Sequence, residues 1–371
     1  MGTSEQRFTI GVEEEFLLID PRTRRLRPQA DKVLPEAEKE VGDHVDPEFK
    51  LSQVETSTPP CESLDELRTE LVQLRRGVIE AAERADSVVG AAGTHPFSHR
   101  GGGEVTPKES YIGLEREYQR LAREKVICGC HVHVGVRDRE AAVQVMNRVR
   151  PWLSAILALA VNSPFWLGED TGYGSFRTEV WRRWPTAGTP HTFASSEEYD
   201  SFVDLLLTIG SIDDPARLFW DVRPSPRFDT LEYRVTDVGL SVEDSLTVAG
   251  LVRALTQTCD GEVADDAPRC EPRPELLREA TWRAARYGLD GDLIDVSRGQ
   301  SVPAVELVEG LLSYLRPVLE ENGEWDEVCS LVEHVIDRGP GAARQRKAFR
   351  GAERLEDVVD LVVEETKSGV A

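Results

Sequence analysis

The stretch that constrains this chain most is Arg7–Asp20, RFTIGVEEEFLLID, where three consecutive glutamates are enclosed by apolar residues. Its short length, its Phe and Ile content and the closing Asp20-Pro21 turn make it a β-strand. Side chains on a strand alternate, so Glu13 and Glu15 share a face with Gly11, while Glu14 joins Ile10, Val12, Phe16 and Leu18 on the other. The apolar set marks the Glu14 side as the core contact. Two carboxylates side by side on the opposite face repel each other and resist desolvation unless positive charge neutralises them. A divalent cation meets that need, and a solvated acidic face is the plainer way to accommodate the same pair.

At 371 residues the chain can bury a large core, as one big domain or two smaller ones. No apolar run reaches spanning length and the N-terminus has no signal-peptide pattern, so a soluble cytoplasmic protein is expected. The net charge of −23 argues against nucleic acid or an anionic membrane as partner. Seven lysines stand against 37 arginines. An acidic, lysine-poor surface suits high salt, where screening removes most self-repulsion, and points to a halophilic source. The six cysteines show no disulfide-framework spacing. Cys128-Gly-Cys130-His131-Val-His133 invites a zinc reading, but a strand turns the cysteines and the histidines to opposite faces, so Cys128 and Cys130 are expected to be packing residues.

Phe49–Thr56 alternates as a second strand with Glu55 near its end, and a helix follows from about Ser63 to Ser87 with Leu64, Leu67, Leu71, Leu74 and Ile79 as its buried stripe. Arg22, Arg24, Arg25 and Arg27 are expected to be solvated. Val88–Ala92 reads as a strand, Ser98–Val105 as a mobile glycine-rich loop, Tyr111–Lys125 as a helix and Val126–Val136 as a strand. Helix resumes over Arg139–Val161, interrupted at Pro151. Asn162–Pro190 lacks periodicity and carries Arg177, Glu179, Trp181, Arg182, Arg183 and Trp184, a functional loop suited to a polyanionic ligand. Ser196–Ile209 is helical, Phe219–Arg223 and Thr230–Val235 are strands, and the rest is helical over about Val242–Asp260, Pro274–Tyr287, Val302–Glu320, Glu324–Asp337 and a last pair after Pro340. One domain over residues 1–371 is expected, strand-rich to about 240 and helical over 241–366.

Three strands repeat one device. The first presents Glu13 and Glu15, another His131 and His133, and a later one Glu232 and Arg234, each pair on one face. Any single pair could be a salt bridge or a satisfied core histidine. Together, with Glu55, they point to a polar sheet face and a shared metal site. Carboxylates with one or two imidazoles suit Mg2+ or Mn2+ better than zinc. Several such ions supply the charge a triphosphate needs, and Arg177, Arg223 and Arg234 fit as donors to phosphoryl oxygens.

GVEEEF, the QVET strand end, AAGTHPF, CGCHVHV, NSPFW with TGYGSFR and RWPTAG, WDVRPSPRFDTLEYRVTD and the late ARQRKAF together resemble the carboxylate–amine ligase branch of the glutamate–cysteine ligases, over about residues 7 to 365. The resemblance implies an α+β fold like the catalytic domain of glutamine synthetase. There a curved, mainly antiparallel sheet lines a metal and ATP cavity, with helices on its outer face and a helical C-terminal part. It implies Glu13, Glu15, Glu55, His131 and Glu232 as metal ligands and Arg234 as the γ-phosphate contact. His133, Arg177 and Arg223 become active-site neighbours, His133 and Arg177 on the nucleotide and Arg177 and Arg223 with Arg234 in catalysis. The implied reaction uses ATP and Mg2+ or Mn2+ to phosphorylate the side-chain carboxylate of glutamate. An amine, in the best-known case that of cysteine, then displaces phosphate. The implied partners are small molecules, with no nucleic acid or membrane, and a homo-oligomer is compatible. A different acceptor amine, a metal-dependent hydrolase on the same carboxylates and a nucleotide-binding relative without turnover are the competing readings.

Overall fold

The computed structural model describes residues 8–97 and 103–370. The first strand is β1, Ile10–Ile19. Helix α1 (Ala30–Val41) leads to β2 (Val45–Pro47) and β3 (Gln53–Ser57), then come α2 (Leu64–Arg84) and β4 (Val88–Gly90). Helices α3 (Glu109–Tyr118) and α4 (Arg120–Glu124) precede β5 (Gly129–Gly135). After β5, α5 (Arg139–Val149) and α6 (Leu153–Leu159) are parted by a 3-10 turn at Pro151, the interruption expected there. The stretch expected to be irregular holds a small hairpin, β6 (Phe165–Trp166) and β7 (Glu169–Asp170), and α7 (Phe176–Trp181), which Ser175 caps by accepting from the Thr178 amide. Then come α8 (Ser196–Thr208), β8 (Val222–Pro224) and β9 (Thr230–Asp237).

The C-terminal part comprises α9 (Val242–Ala264), α10 (Pro274–Tyr287), a hairpin of β10 (Asp292–Asp295) and β11 (Gln300–Pro303), and helices α11 (Ala304–Asn322), α12 (Trp325–Arg338), α13 (Gly341–Ala352) and α14 (Leu355–Lys367). It is mostly helical, as expected. The hairpin is the exception, because Val302 pairs across it with Leu293 before the helix starts at Ala304.

The main sheet runs β2-β3-β1-β5-β9-β8, with β4 added to the far end of β1, and all these pairs are antiparallel. Ile10, Val12, Phe16 and Leu18 are buried with Glu14, on the face that α2 and α9 cover. All five predicted α2 stripe residues are buried. Helix α1 falls where the sequence reading assigned no element. Pro35 lies inside it and removes one backbone donor, yet Ala30, Val33, Ala37 and Val41 repeat at helical spacing and are buried. Of the arginines expected to be solvated, Arg24 pairs with Asp360 at 3.0 Å and Arg27 reaches the Asp86 carbonyl. Of the glycine-rich loop, Ser98–Gly102 lies outside the described residues, and Val105 bridges to Lys50.

Candidate active site

Strand register assembles the polar face. Glu15 stands opposite Glu55, Glu13 opposite His131, Gly11 opposite His133, His133 opposite Glu232, and Glu232 opposite Arg223. In β9 an extra residue enters, since Val132 aligns with Tyr233 but Cys130 with Thr236. Arg234 and Val235 therefore both face His131, a bulge that re-aims Arg234. Glu13 lies between the two imidazoles, its Oε2 3.0 Å from His131 Nδ1 and its Oε1 3.3 Å from His133 Nε2. His133 is held from behind by Thr230 Oγ1 at 2.9 Å, with the exposed Phe228 ring edge-on to it. Glu15 accepts from the Gly129 amide at 2.6 Å.

The electrostatics are uneven. Burial would raise Glu13, but hydrogen bonds from His131 and His133 and the charge of His133 outweigh it and hold this carboxyl well below the usual range. Burial and then the charges of Glu13, Glu48 and Glu15 push Glu55 well above it. Glu15 is pushed up to about 7, by burial and then by Glu48, against partial relief from Lys125 and Arg177. Burial, and then Arg234, lowers His131 to about 4, so it stays neutral. Glu232 is lowered, because Arg234, Arg223 and His133 overcome its burial.

Two groups of potential ligands result, Glu13 with Glu55 and His131, and Glu13 with His133 and Glu232, each with donor atoms within 4.8 Å of one another. His131 Nε2 is buried and makes no hydrogen bond among the described residues, while His133 Nε2, also buried, has the 3.3 Å ion-pair contact with Glu13. A buried imidazole nitrogen without a hydrogen bond, set beside crowded carboxylates, fits a hard divalent cation, which would satisfy it and relieve the repulsion at Glu55. Glu15 lies alongside, its Oε1 3.9 Å from His131 Nε2, but belongs to neither group. Cys128 and Cys130 are buried and neither enters a ligand group.

The three arginines differ. Arg234 pairs with Glu232, and its Nε is buried without a partner. Arg177 is 2% exposed, donates through Nη2 to the Arg234 carbonyl at 3.2 Å, lies 3.9 Å from Asp237 Oδ1, and likewise keeps Nε unpartnered. It packs on Gly129, where a Cβ would stand 2.3 Å from Arg177 Nη2, which accounts for glycine in CGCHVHV. Arg223 grips Glu232 at 2.8 Å through Nε and gives Nη1 to the Ala216 and Leu218 carbonyls, both at 2.7 Å. Its donors are committed to holding Glu232. Arg182 and Arg183 bond elsewhere, to the Arg278 carbonyl and to Glu124.

Sequence reasoning missed Glu48 and Lys125, paired at 3.2 Å beside Glu15, and Asp237, which takes hydrogen bonds from Ser163, Ser175 and the Asn162 amide behind Arg177. No periodic signal marks these residues, because each lies at an element end or in a loop. ARQRKAF acquires a place here: Gln345 Nε2 donates to Asn162 Oδ1 at 2.7 Å, anchoring the loop that carries Ser163.

Sequence comparison decides the family, since the profile of glutamate-cysteine ligase family 2 matches residues 9–365. The chain belongs to that family. A relative from Frankia alni named "Putative glutamate--cysteine ligase 2-2" is 44% identical over 98% of each chain. One from Rhodopirellula baltica with the corresponding type 2 name is 39% identical, again over 98% of each. The fold matches a glutamate–cysteine ligase of Francisella tularensis, solved in complex with AMP, with a TM-score of 0.71 at 13% identity, covering 98% of this chain and 89% of that one. The family member described here is an ATP-dependent carboxylate–amine ligase that acts on small molecules. No described helix is long and apolar enough to cross a membrane.

Proposed function

We propose that the chain joins the γ-carboxylate of glutamate to the amine of cysteine through an acyl phosphate, using ATP and Mg2+ or Mn2+. The observation that carries this reading is the pair of ligand groups sharing Glu13, set beside two buried guanidiniums whose Nε donors are free. Glu13, Glu55, His131, His133 and Glu232 would hold the metal, with Glu15 alongside, and the metal when bound would neutralise phosphoryl oxygens. Arg234 donates to the γ-phosphoryl group while Glu232 keeps its guanidinium aimed. Arg177 meets a second oxyanion, and Arg223 and Thr230 hold Glu232 and His133 in place. The glutamate carboxylate attacks the γ-phosphorus and ADP leaves. The amine then attacks the acyl carbon and phosphate leaves.

The acceptor amine sets the product, so the test varies the acceptor. ADP release is measured with Mg2+, ATP and glutamate, with each common amino acid offered in turn, across a KCl series that also probes the salt adaptation the composition suggests. Stimulation by cysteine alone with formation of γ-glutamylcysteine supports the reading. Another winning amine keeps the ligase and changes the acceptor. Phosphate release that needs no ATP would favour a hydrolase.

A further inference from the structure

Trp181 closes α7 and is 6% exposed. Its indole N–H donates to the Phe219 carbonyl at 3.0 Å, and its ring meets the edge of Phe219 at 5.2 Å, so its plane is held from one side. Three cations gather on this one ring. Lys125 Nζ and Arg234 Cζ lie 5.5 Å from its centroid and Arg177 Cζ lies 5.7 Å away. They come from different parts of the chain, and like charges repel.

Each cation also has an acid beside it: Glu48 for Lys125, Glu232, shared with Arg223, for Arg234 and, at 3.9 Å, Asp237 for Arg177. A carboxylate neutralises a guanidinium by accepting its N–H groups. An aromatic face attracts the same cation through its quadrupole and accepts none of them in the usual sense. Arg177 Nε and Arg234 Nε are both buried and without a partner. The indole thus gathers positive charge while leaving donors for something else, and buried unpaired donors beside a metal-binding face call for an oxyanion.

We propose that Trp181 is the positioning residue of an oxyanion subsite formed by Lys125, Arg177 and Arg234. The subsite takes either the substrate carboxylate or a phosphoryl group of the nucleotide. This deepens the reaction proposed above and rests on it for the identity of the oxyanion. Trp181 acts through the three cations, by fixing their spacing on its ring.

The full chain is prepared with tryptophan analogues bearing one, two and four ring fluorines at position 181. Fluorination drains the ring quadrupole with little change in shape. Affinities for ATP with Mg2+ and for glutamate are measured by calorimetry, and melting temperatures alongside. The expected result is a stepwise loss of affinity reaching roughly tenfold at four fluorines, with the melting temperature unchanged. Loss in the ATP arm assigns the subsite to phosphoryl oxygens, and loss in the glutamate arm assigns it to the carboxylate. Trp181→Phe should restore part of the affinity that Trp181→Leu removes. Flat affinities in both arms across the fluorine series overturn the proposal, whatever Trp181→Leu does to folding. A graded loss in a chain that makes no amide would leave this inference standing and sink the reaction.

Discussion

The two faces of β1 treat the same side chain in opposite ways. Glu14 faces the core, and its solution is internal: Arg75 of α2 grips both carboxylate oxygens at 2.9 and 2.6 Å, and Ser245 of α9 donates at 2.5 Å. The remaining Arg75 donors go to the carbonyls of Leu240 and Gly239, both at 3.0 Å, so a fully buried charge pair is satisfied on every side. One residue to either side, Glu13 and Glu15 meet histidines and further glutamates. Their nearest arginines are paired with other acids, and Glu55 is driven toward protonation. Glu14, buried on the apolar face with Arg75, is part of the scaffold. Glu13 and Glu55, left crowded, fall in the groups whose donor atoms could hold a cation.

The sharpest way to break this contrast is to neutralise one carboxylate on each face. Glu13→Gln removes the ligand common to both groups and is expected to cut amide formation by roughly 10³-fold. Activity within tenfold of wild type would show that Glu13 is not a shared ligand. Arg75→Met on the core face should do the reverse. It strands Glu14 and costs about 3–5 kcal/mol of stability in urea titrations, while turnover per folded molecule stays near wild type.

Between these extremes lies Arg223→Lys. A lysine cannot keep both the Glu232 grip and the two carbonyls, so turnover should fall about tenfold with a small loss of stability. A drop as large as that of Glu13→Gln would instead put Arg223 on the reactants.

The smallest effect concerns pH. Glu15 titrates near 7 in the fold against an ordinary value of 4.5. A raised carboxyl contributes stability that is complete below 4.5 and is lost as pH rises through 7, because the folded state holds more protons across that window. Without divalent cations, melting temperature should therefore decline over that range, and Glu15→Gln should flatten the decline. Parallel profiles for the two proteins would show that Glu15 is not the group responsible.

Much of this face could be read before folding. The alternation in IGVEEEFLLI put Glu13 and Glu15 away from Ile10, Val12, Phe16 and Leu18, and the i, i+2 pairs His131/His133 and Glu232/Arg234 followed the same period. Helix α2 and the break at Pro151 were equally legible, because apolar spacing and proline chemistry are local properties. What escaped was non-local. Arg75 lies 61 residues from Glu14, and nothing in VQLRRGV distinguishes it from its exposed-looking neighbour Arg76. Lys125 and Glu48 come from chain ends of separate elements and meet only after β1, β3 and β5 align.

The sequence alone therefore determined which residue types face each side of each strand, since a two-residue period needs only the chain's own geometry. Tertiary structure decided which charge answers which. Register placed His131 rather than another residue against Glu13, a bulge absent from any local pattern set both Arg234 and Val235 opposite His131, and one indole collected three cations from distant segments. Electrostatic partnership depends on distance through space, and a linear period carries no information about that distance.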